Sequence, residues 1–146
     1  MAITSAICNS FKQEILEAEH NFTASTGNTF NLALYDSDAT LGAGTTAYTT
    51  SEEITNTSGT AYSAKGKALT SVTPTLDSST AVCDFADVSW TSASFTANGC
   101  LIFNDSHSTD AAVCAIDFGG DKTATSGTFT IQFPAAAAST AIVRIA

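Results

Sequence analysis

Hydrophobic and polar positions change their spacing once along the chain, close to Gly27. Before that point, apolar residues recur at steps of four, four and three, on Ile7, Phe11, Ile15 and Ala18. This spacing places them on one face of a helix. It predicts an amphipathic helix over residues 4–19, with Thr4 or Ser5 as its N-cap. Such a helix either packs on the domain body or docks on a partner.

After Gly27 the period becomes two, which is typical of half-buried strands. Thr29–Tyr35 alternates in this way, and short apolar runs recur from residue 61 onward. The further predicted strands cover residues 68–75, 80–85, 89–96, 99–104, 112–118, 128–133 and 141–145. Asn98-Gly99 predicts a hairpin turn. The predicted fold is mainly β, an antiparallel β-sandwich or jelly-roll-like barrel with one N-terminal α-helix.

The chain is predicted to form a single domain over residues 1–146, with a β domain over 29–146 that contains a long polar loop at 36–60. This loop is rich in Thr, Ser, Gly and Asp, with one short strand expected near Glu53. We expect it to be mobile in the free monomer and ordered by neighbouring subunits, because ordering each residue costs about 1–2 kcal/mol. The hypothesised interface residues, from helix and loop together, are Ile7, Phe11, Ile15, Tyr48 and Ile54.

Charge narrows the possible partners. Charged residues make up 13% of the chain and the net charge is −9. Nucleic-acid binding needs clustered basic residues, whereas the five here are dispersed, so no nucleic-acid partner is expected. No run approaches the ~18 apolar residues of a membrane span. The N-terminal segment lacks the features of a secretory signal, which predicts synthesis in the cytoplasm and, if the protein leaves the cell, exit by a route other than Sec export.

The cysteines leave two alternatives open. Four of them could form two disulfides, in three possible connectivities. A chain without a secretion signal folds in a reducing cytosol, where free buried thiols are the rule. Most of these cysteines also fall in apolar runs, which favours free buried thiols at Cys8, Cys83, Cys100 and Cys114.

No catalytic or cofactor-binding residue is predicted. Ser106 and His107 are adjacent, which keeps their side chains from facing each other along a strand, and the chain has no G-x-S-x-G sequence. A structural role is predicted for both His20 and His107. A small hydrolase therefore remains only a third alternative.

Metal-site patterns are likewise incomplete. Zinc sites need close Cys or His pairs, which the chain lacks. Asp36-Ser37-Asp38 resembles the start of a calcium loop, but the sixth and twelfth positions are Leu41 and Ala47 instead of glycine and glutamate. Asp84 and Asp87 could act as acid and base, although capping of strand ends explains them equally well. No metal ligand is predicted.

Several segments taken together resemble small β-rich virion proteins of tailed bacteriophages. They are ICNSFKQEIL (7–16), NFTASTGNTFNLALYDSDATLG (21–42), TAYSAKGKALT (60–70), DFADVSW (84–90), LIFND (101–105) and TSGTFTIQFPAAAASTAIVRIA (125–146). The resemblance covers nearly the whole chain and rests on the overall character of the sequence and on the order of these segments. It implies a structural role in the particle and supplies no site residues.

The expectation from this resemblance is a non-enzymatic capsid decoration or cement subunit located in the virion. Its partners would be other virion proteins, namely the major capsid protein or tail proteins, and further copies of itself as a homo-oligomer. The alternative is a tail or tail-fibre module that binds a host-surface glycan. Neither function needs a cofactor, a membrane or a nucleic acid.

Overall fold

The computed structural model describes residues 2–55 and 59–146 and confirms the mainly β fold, with two antiparallel sheets and one short helix. The elements in chain order are β1 (Ala6–Ile7), α1 (Asn9–Leu16), β2 (Phe30–Tyr35), β3 (Lys67–Ala68), β4 (Ser71–Asp77), β5 (Thr80–Phe85), β6 (Val88–Asn104), β7 (Ala111–Ile131) and β8 (Val143–Ile145). Positions 56–58 of the predicted loop lie outside the described residues.

The two sheets pack in a sandwich-like arrangement. The larger sheet has the order β1-β7-β6-β2-β3, and the smaller one has the order β4-β5-β8. Phe30 of β2 and Phe85 of β5 meet between them, with ring centroids 6.0 Å apart. The ring of Phe22 stacks on Phe30 at 4.2 Å and closes this part of the core. Aromatic side chains thus join the two sheets, as their large buried area favours.

The larger sheet has two covered faces. Phe30 pairs with Asn104 and Asn31 with Phe103, so Phe30 and Phe103 point to opposite faces. On the Phe30 face, the ring of Phe11 from α1 packs 6.0 Å from Phe22. The Phe103 face is covered by the segment between β2 and β3, as described below. All six residues of β2 are buried, which accounts for its continuous apolar character.

The predicted helix over residues 4–19 is too long at both ends. Residues Ala6 and Ile7 form β1 and pair with Ala115 and Cys114 of β7, so backbone pairing to the sheet replaces the helical turn that the spacing predicted. Cys8 occupies the N-cap without a side-chain hydrogen bond, in place of Thr4 or Ser5. At the other end, Ala18 has a φ of 62°, which stops the helix.

Predicted strands 80–85 and 29–35 agree with β5 and β2 to within one residue. The predicted Asn98-Gly99 hairpin is wrong, because both residues lie inside β6, which runs on to Asn104. A Cβ on Gly99 would lie 2.5 Å from the Ile116 carbonyl oxygen and 2.7 Å from Ile3. Glycine is thus required there for close packing and not for a turn.

The predicted strands 112–118 and 128–133 also join, as β7. Residues 118–121 bulge out of the ladder, since Ala97 pairs with Lys122 while Gly99 pairs with Asp117. β6 and β7 thereby form one long hairpin that belongs to the larger sheet.

All four cysteines are free thiols in the structure. Cys8, Cys100 and Cys114 are buried, whereas Cys83 on β5 is half-buried. Burial raises the pKa of Cys8 to about 11 and that of Cys114 to about 12. Thiols held protonated in this way are poor nucleophiles and poor metal ligands.

Candidate interaction surface

A row of apolar side chains crosses the smaller sheet at its exposed end. Leu76 of β4 pairs with Ala81 of β5, and Ala81 pairs with Ile145 of β8, so the three side chains share one face. Leu76 is 72% exposed and Ile145 is 57% exposed. We call Leu76, Ala81 and Ile145 the apolar row. An exposed apolar strip of this kind marks a protein–protein contact more often than an isolated leucine does.

The smaller sheet has open edges beside the apolar row. Within the described chain, β4 and β8 each pair with β5 alone. Pro74 lies in β4, where its missing N–H suits an edge strand, and the register shifts between Val72 and Thr75. Such irregularities discourage pairing with another strand, so the side chains of the apolar row are the better candidate for contact than the backbone edge.

The predicted interface residues near the N-terminus are mostly covered. Phe11 is only 3% exposed, and its ring lies 4.9 Å from that of His20. Ile15 is half-buried against the core, and Ile7 is half-buried on β1 instead of on the helix. Leu16 is the large apolar residue of α1 that reaches solvent, at 87% exposure. The face of α1 that carries Phe11 and Ile15 therefore packs on the domain body, which is one of the two alternatives that the sequence left open.

The two predicted loop residues lie at different places on the larger sheet: Tyr48 packs on the Phe103 face, whereas Ile54 lies along the edge of β2, next to the Tyr35–Glu53 bridge. The ring of Tyr48 stacks on Phe103 at 4.8 Å, and the Tyr48 N–H donates to the Asp110 carbonyl at 3.0 Å. Ile54 donates its N–H to the Leu34 carbonyl at 2.9 Å. The structure therefore does not bring the five hypothesised residues together on one surface.

Glu53 explains why the described part of this segment is held to the sheet. This carboxylate is buried at 8% exposure and accepts three hydrogen bonds. The donors are the Tyr48 hydroxyl at 2.5 Å, the Tyr62 hydroxyl at 2.6 Å and the Lys65 N–H at 2.8 Å. The expectation that little would fix the loop internally is wrong, because polar contacts replace the apolar side chains it lacks.

A second polar cluster lies beside Glu53, around the Lys65 ammonium. It contacts the carboxylates of Asp105 and Asp110 at 2.9 Å and 2.8 Å. It also lies 5.7 Å from the ring centroid of Tyr48. These carboxylates raise the pKa of Lys65 above its usual value, Asp110 contributing first. The cluster ties the β6–β7 turn to the residues before β3 and leaves the lysine little capacity for an external ligand.

The histidines occupy a packed polar cluster near the end of α1. The side chain of His20 is fully buried, with Nε2 2.8 Å from the Glu14 carboxylate. Its Nδ1 lies 3.1 Å from the Asn104 amide nitrogen, which the Ser106 N–H orients by donating to Asn104 Oδ1. Nδ1 thus accepts a hydrogen bond, and His20 has the geometry of a structural residue.

The remaining sequence candidates also have structural partners. Ser106 Oγ accepts the Thr29 N–H at 2.8 Å, and His107 Nδ1 lies 3.0 Å from the hydroxyl of Thr109. Asp84 Oδ1 accepts the Phe85 N–H. Asp87 Oδ1 accepts the Phe133 N–H. Each of these groups thus has a local structural partner.

One acidic group forms that the sequence did not predict. Glu52 joins Asp36 and Asp38, with ligand oxygens within 4.8 Å of one another. All three side chains reach solvent, where carboxylates commonly gather without an ion. We assign no ion to this group.

Sequence reasoning missed Leu76, Glu53 and Lys65. Leu76 was expected in a polar turn, because Asp77-Ser78-Ser79 follows it directly. The sequence predicted a short strand near Glu53, where a single bridge to Tyr35 forms, but the side-chain contacts of Glu53 and Lys65 depend on partners distant in sequence. Ile145 was placed correctly on a strand, but its exposure could not be read from its apolar neighbours.

No protein-family model, curated protein or solved structure matches this chain. Across the described residues, no helix is both long and apolar enough to cross a bilayer.

Proposed function

We propose that the protein is a non-enzymatic structural protein of a tailed-bacteriophage particle, and specifically a capsid decoration or cement subunit. The observation that supports an assembly role is the apolar row on a chain with only 13% charged residues. A surface poor in charge loses little on desolvation, because few ions must be stripped of water when a partner covers it. The resemblance of the sequence to phage virion proteins supports the choice of particle.

Such a subunit would bind the major capsid protein and further copies of itself. Each contact can be weak, because repetition over a symmetric shell multiplies it. The exposed aliphatic groups Leu76 and Ile145 supply apolar area of the kind found at the centre of interfaces. The function needs neither a cofactor nor a bound nucleic acid.

Copy number tests the assignment. A decoration protein is expected in hundreds of copies per particle, and quantitative mass spectrometry of purified particles measures this directly. A tail or tail-fibre module that binds a host-surface glycan is the alternative, and it would occur in tens of copies or fewer. Absence of the protein from purified particles would reject both.

A surface variant tests the apolar row itself. Leu76→Ser combined with Ile145→Ser should leave the melting temperature nearly unchanged, since both side chains are exposed, and should lower occupancy of the particle severalfold. Leu16→Ser is the matched control, because Leu16 is 87% exposed but lies on α1. Equal occupancy for both variants would show that the apolar row is not the contact.

A further inference from the structure

A second apolar feature lies away from the apolar row, between β7 and the segment that leads to β8. It is a groove of about 610 Å³. Its apolar lining includes Phe118, Phe129 and Ile131 of β7, together with Phe133 and Ile142. This volume falls within the range of about 300–1,000 Å³ that small-molecule sites occupy. Aromatic and aliphatic walls are also usual for such sites.

One cation lines this groove. Lys122 contributes to the lining, and within residues 2–55 and 59–146 its ammonium has no hydrogen-bond or ion-pair partner. The other basic residues are engaged: Lys12 with Asn9, Lys65 with two aspartates, Lys67 with the Ser89 carbonyl, and Arg144 with the Ala138 carbonyl. An unengaged cation beside an apolar groove, on a chain of net charge −9, favours an anionic group on whatever fills the groove.

The backbone beside the groove is less suited to binding an added strand. The β6–β7 ladder shifts register at three places between Trp90 and Gly99. Gly119 and Gly120 have φ of 73° and 131°, so the chain bulges next to the groove. Bulges and charged residues along a strand discourage sheet extension, which leaves the apolar walls and Lys122 as the recognition features.

We propose that this groove binds a small apolar molecule that bears one carboxylate, of the fatty-acid class. The alkyl chain lies against Phe118, Phe129 and Ile131, and the carboxylate faces the Lys122 ammonium. This ligand goes beyond the proposed role in assembly and does not depend on it. A neutral molecule would leave Lys122 unused, whereas a wholly polar anion would leave the apolar walls in water.

Calorimetric titration with dodecanoate and with dodecanol, both below their aggregation concentrations, tests the proposal. Dodecanoate should bind saturably with one-to-one stoichiometry. Lys122→Gln should weaken dodecanoate binding about two- to fivefold, as expected for a partly exposed ion pair, and leave dodecanol binding unchanged. Lys12→Gln is the matched control and should bind both molecules as the native chain does.

A second variant tests the apolar walls. Phe118→Ala should weaken the binding of both dodecanoate and dodecanol, and an unchanged circular dichroism spectrum would verify that the fold persists. The fluorescence of Trp90 provides a second measure of binding, because Trp90 is the sole tryptophan and its ring lies 6.2 Å from that of Phe129, which lines the groove. Particle occupancy should remain native in the Lys122 and Phe118 variants, which separates this site from the assembly contact.

Two results would overturn the proposal. The first is the absence of saturable dodecanoate binding by calorimetry. The second is dodecanoate binding that Lys122→Gln and Phe118→Ala both leave intact. If the chain instead dimerises and Phe118→Ala abolishes the dimer, the groove belongs to a second copy and not to a small carboxylate.

Discussion

At the scale of single residues, Glu53 is the clearest case of a polar group that fixes structure. It anchors a segment with few large apolar side chains by accepting hydrogen bonds from two tyrosines and one backbone N–H. The Tyr62 hydroxyl in turn accepts the Leu34 N–H at 2.9 Å, so the network reaches the edge of β2. The carboxylate thus joins three parts of the chain that are separate in sequence.

Glu53→Gln should destabilise the protein by about 1–3 kcal/mol, because a neutral amide replaces a charged acceptor and turns an NH₂ group toward hydroxyl donors. Urea denaturation of the two proteins measures the difference. The neighbouring Glu52→Gln is the control, since Glu52 is exposed and should change stability by less than about 0.5 kcal/mol. Equal stability of the Glu53 variant and the native chain would contradict the anchoring role.

At the scale of elements, the sequence predicts those strands whose own pattern determines them. β2 and β5 are bounded by polar turns and pair along their whole length, so local pattern and tertiary structure agree. β6 and β7 could not be predicted as continuous strands, because Gly99 and Gly119-Gly120 resemble turns and only the pairing of the two strands shows that they are a close contact and a bulge. The predicted helix began too early, because the pairing of Ala6 and Ile7 with β7 cannot be recognised from the neighbouring sequence.

The same limit applies to the candidate surface. An apolar residue such as Leu76 is identical in sequence whether it is buried or exposed, and its exposure depends on which face of the smaller sheet it occupies. The charged clusters depend on contacts between residues far apart in sequence, such as Lys65 with Asp105 and Asp110. The fold class was therefore predictable, whereas the surface features were not.

The α1 element provides a direct test of packing. Phe11→Ala should cost about 3–5 kcal/mol, because Phe11 is buried among His20 and Phe22 and its truncation leaves a cavity. Leu16→Ala, on the same helix but at 87% exposure, should change stability by less than about 0.5 kcal/mol. Thermal unfolding of both variants gives the comparison. A Phe11 variant as stable as the Leu16 variant would mean that α1 does not pack in solution.

At the scale of the whole molecule, buried acidic groups determine how stability responds to alkali. Burial, followed by the hydrogen bond to Glu53, raises the pKa of Tyr48 to about 12, and burial raises those of Tyr35 and Tyr62 further. Burial also raises the pKa of all four cysteines. The native state therefore holds these protons more tightly than the unfolded chain does.

The direction in which pH changes the free energy of unfolding follows from the linkage between proton binding and folding. Each group contributes its full stability below its unfolded pKa, 9.0 for cysteine and 10.0 for tyrosine, and loses it as the pH rises toward the folded value. The free energy of unfolding should be level up to about pH 8, begin to fall near pH 9 as the unfolded thiols ionise, and fall more steeply above about pH 10. Denaturant titrations across this range measure it. Tyrosinate absorbance near pH 10 in the folded protein would contradict the burial of the three tyrosines.

The strand order of the larger sheet has a consequence for how the protein is made. β1 pairs with residues 114–115 and β2 pairs with β6 through Phe30 and Asn104, so the N-terminal third of the chain is synthesised long before its partners. The β6–β7 hairpin is local and can form first, whereas closing the sheet requires long loops to be ordered, which slows folding. During that interval on the ribosome, the apolar β2 segment is uncovered. High expression temperature should therefore favour aggregation of nascent chains over loss of the finished fold.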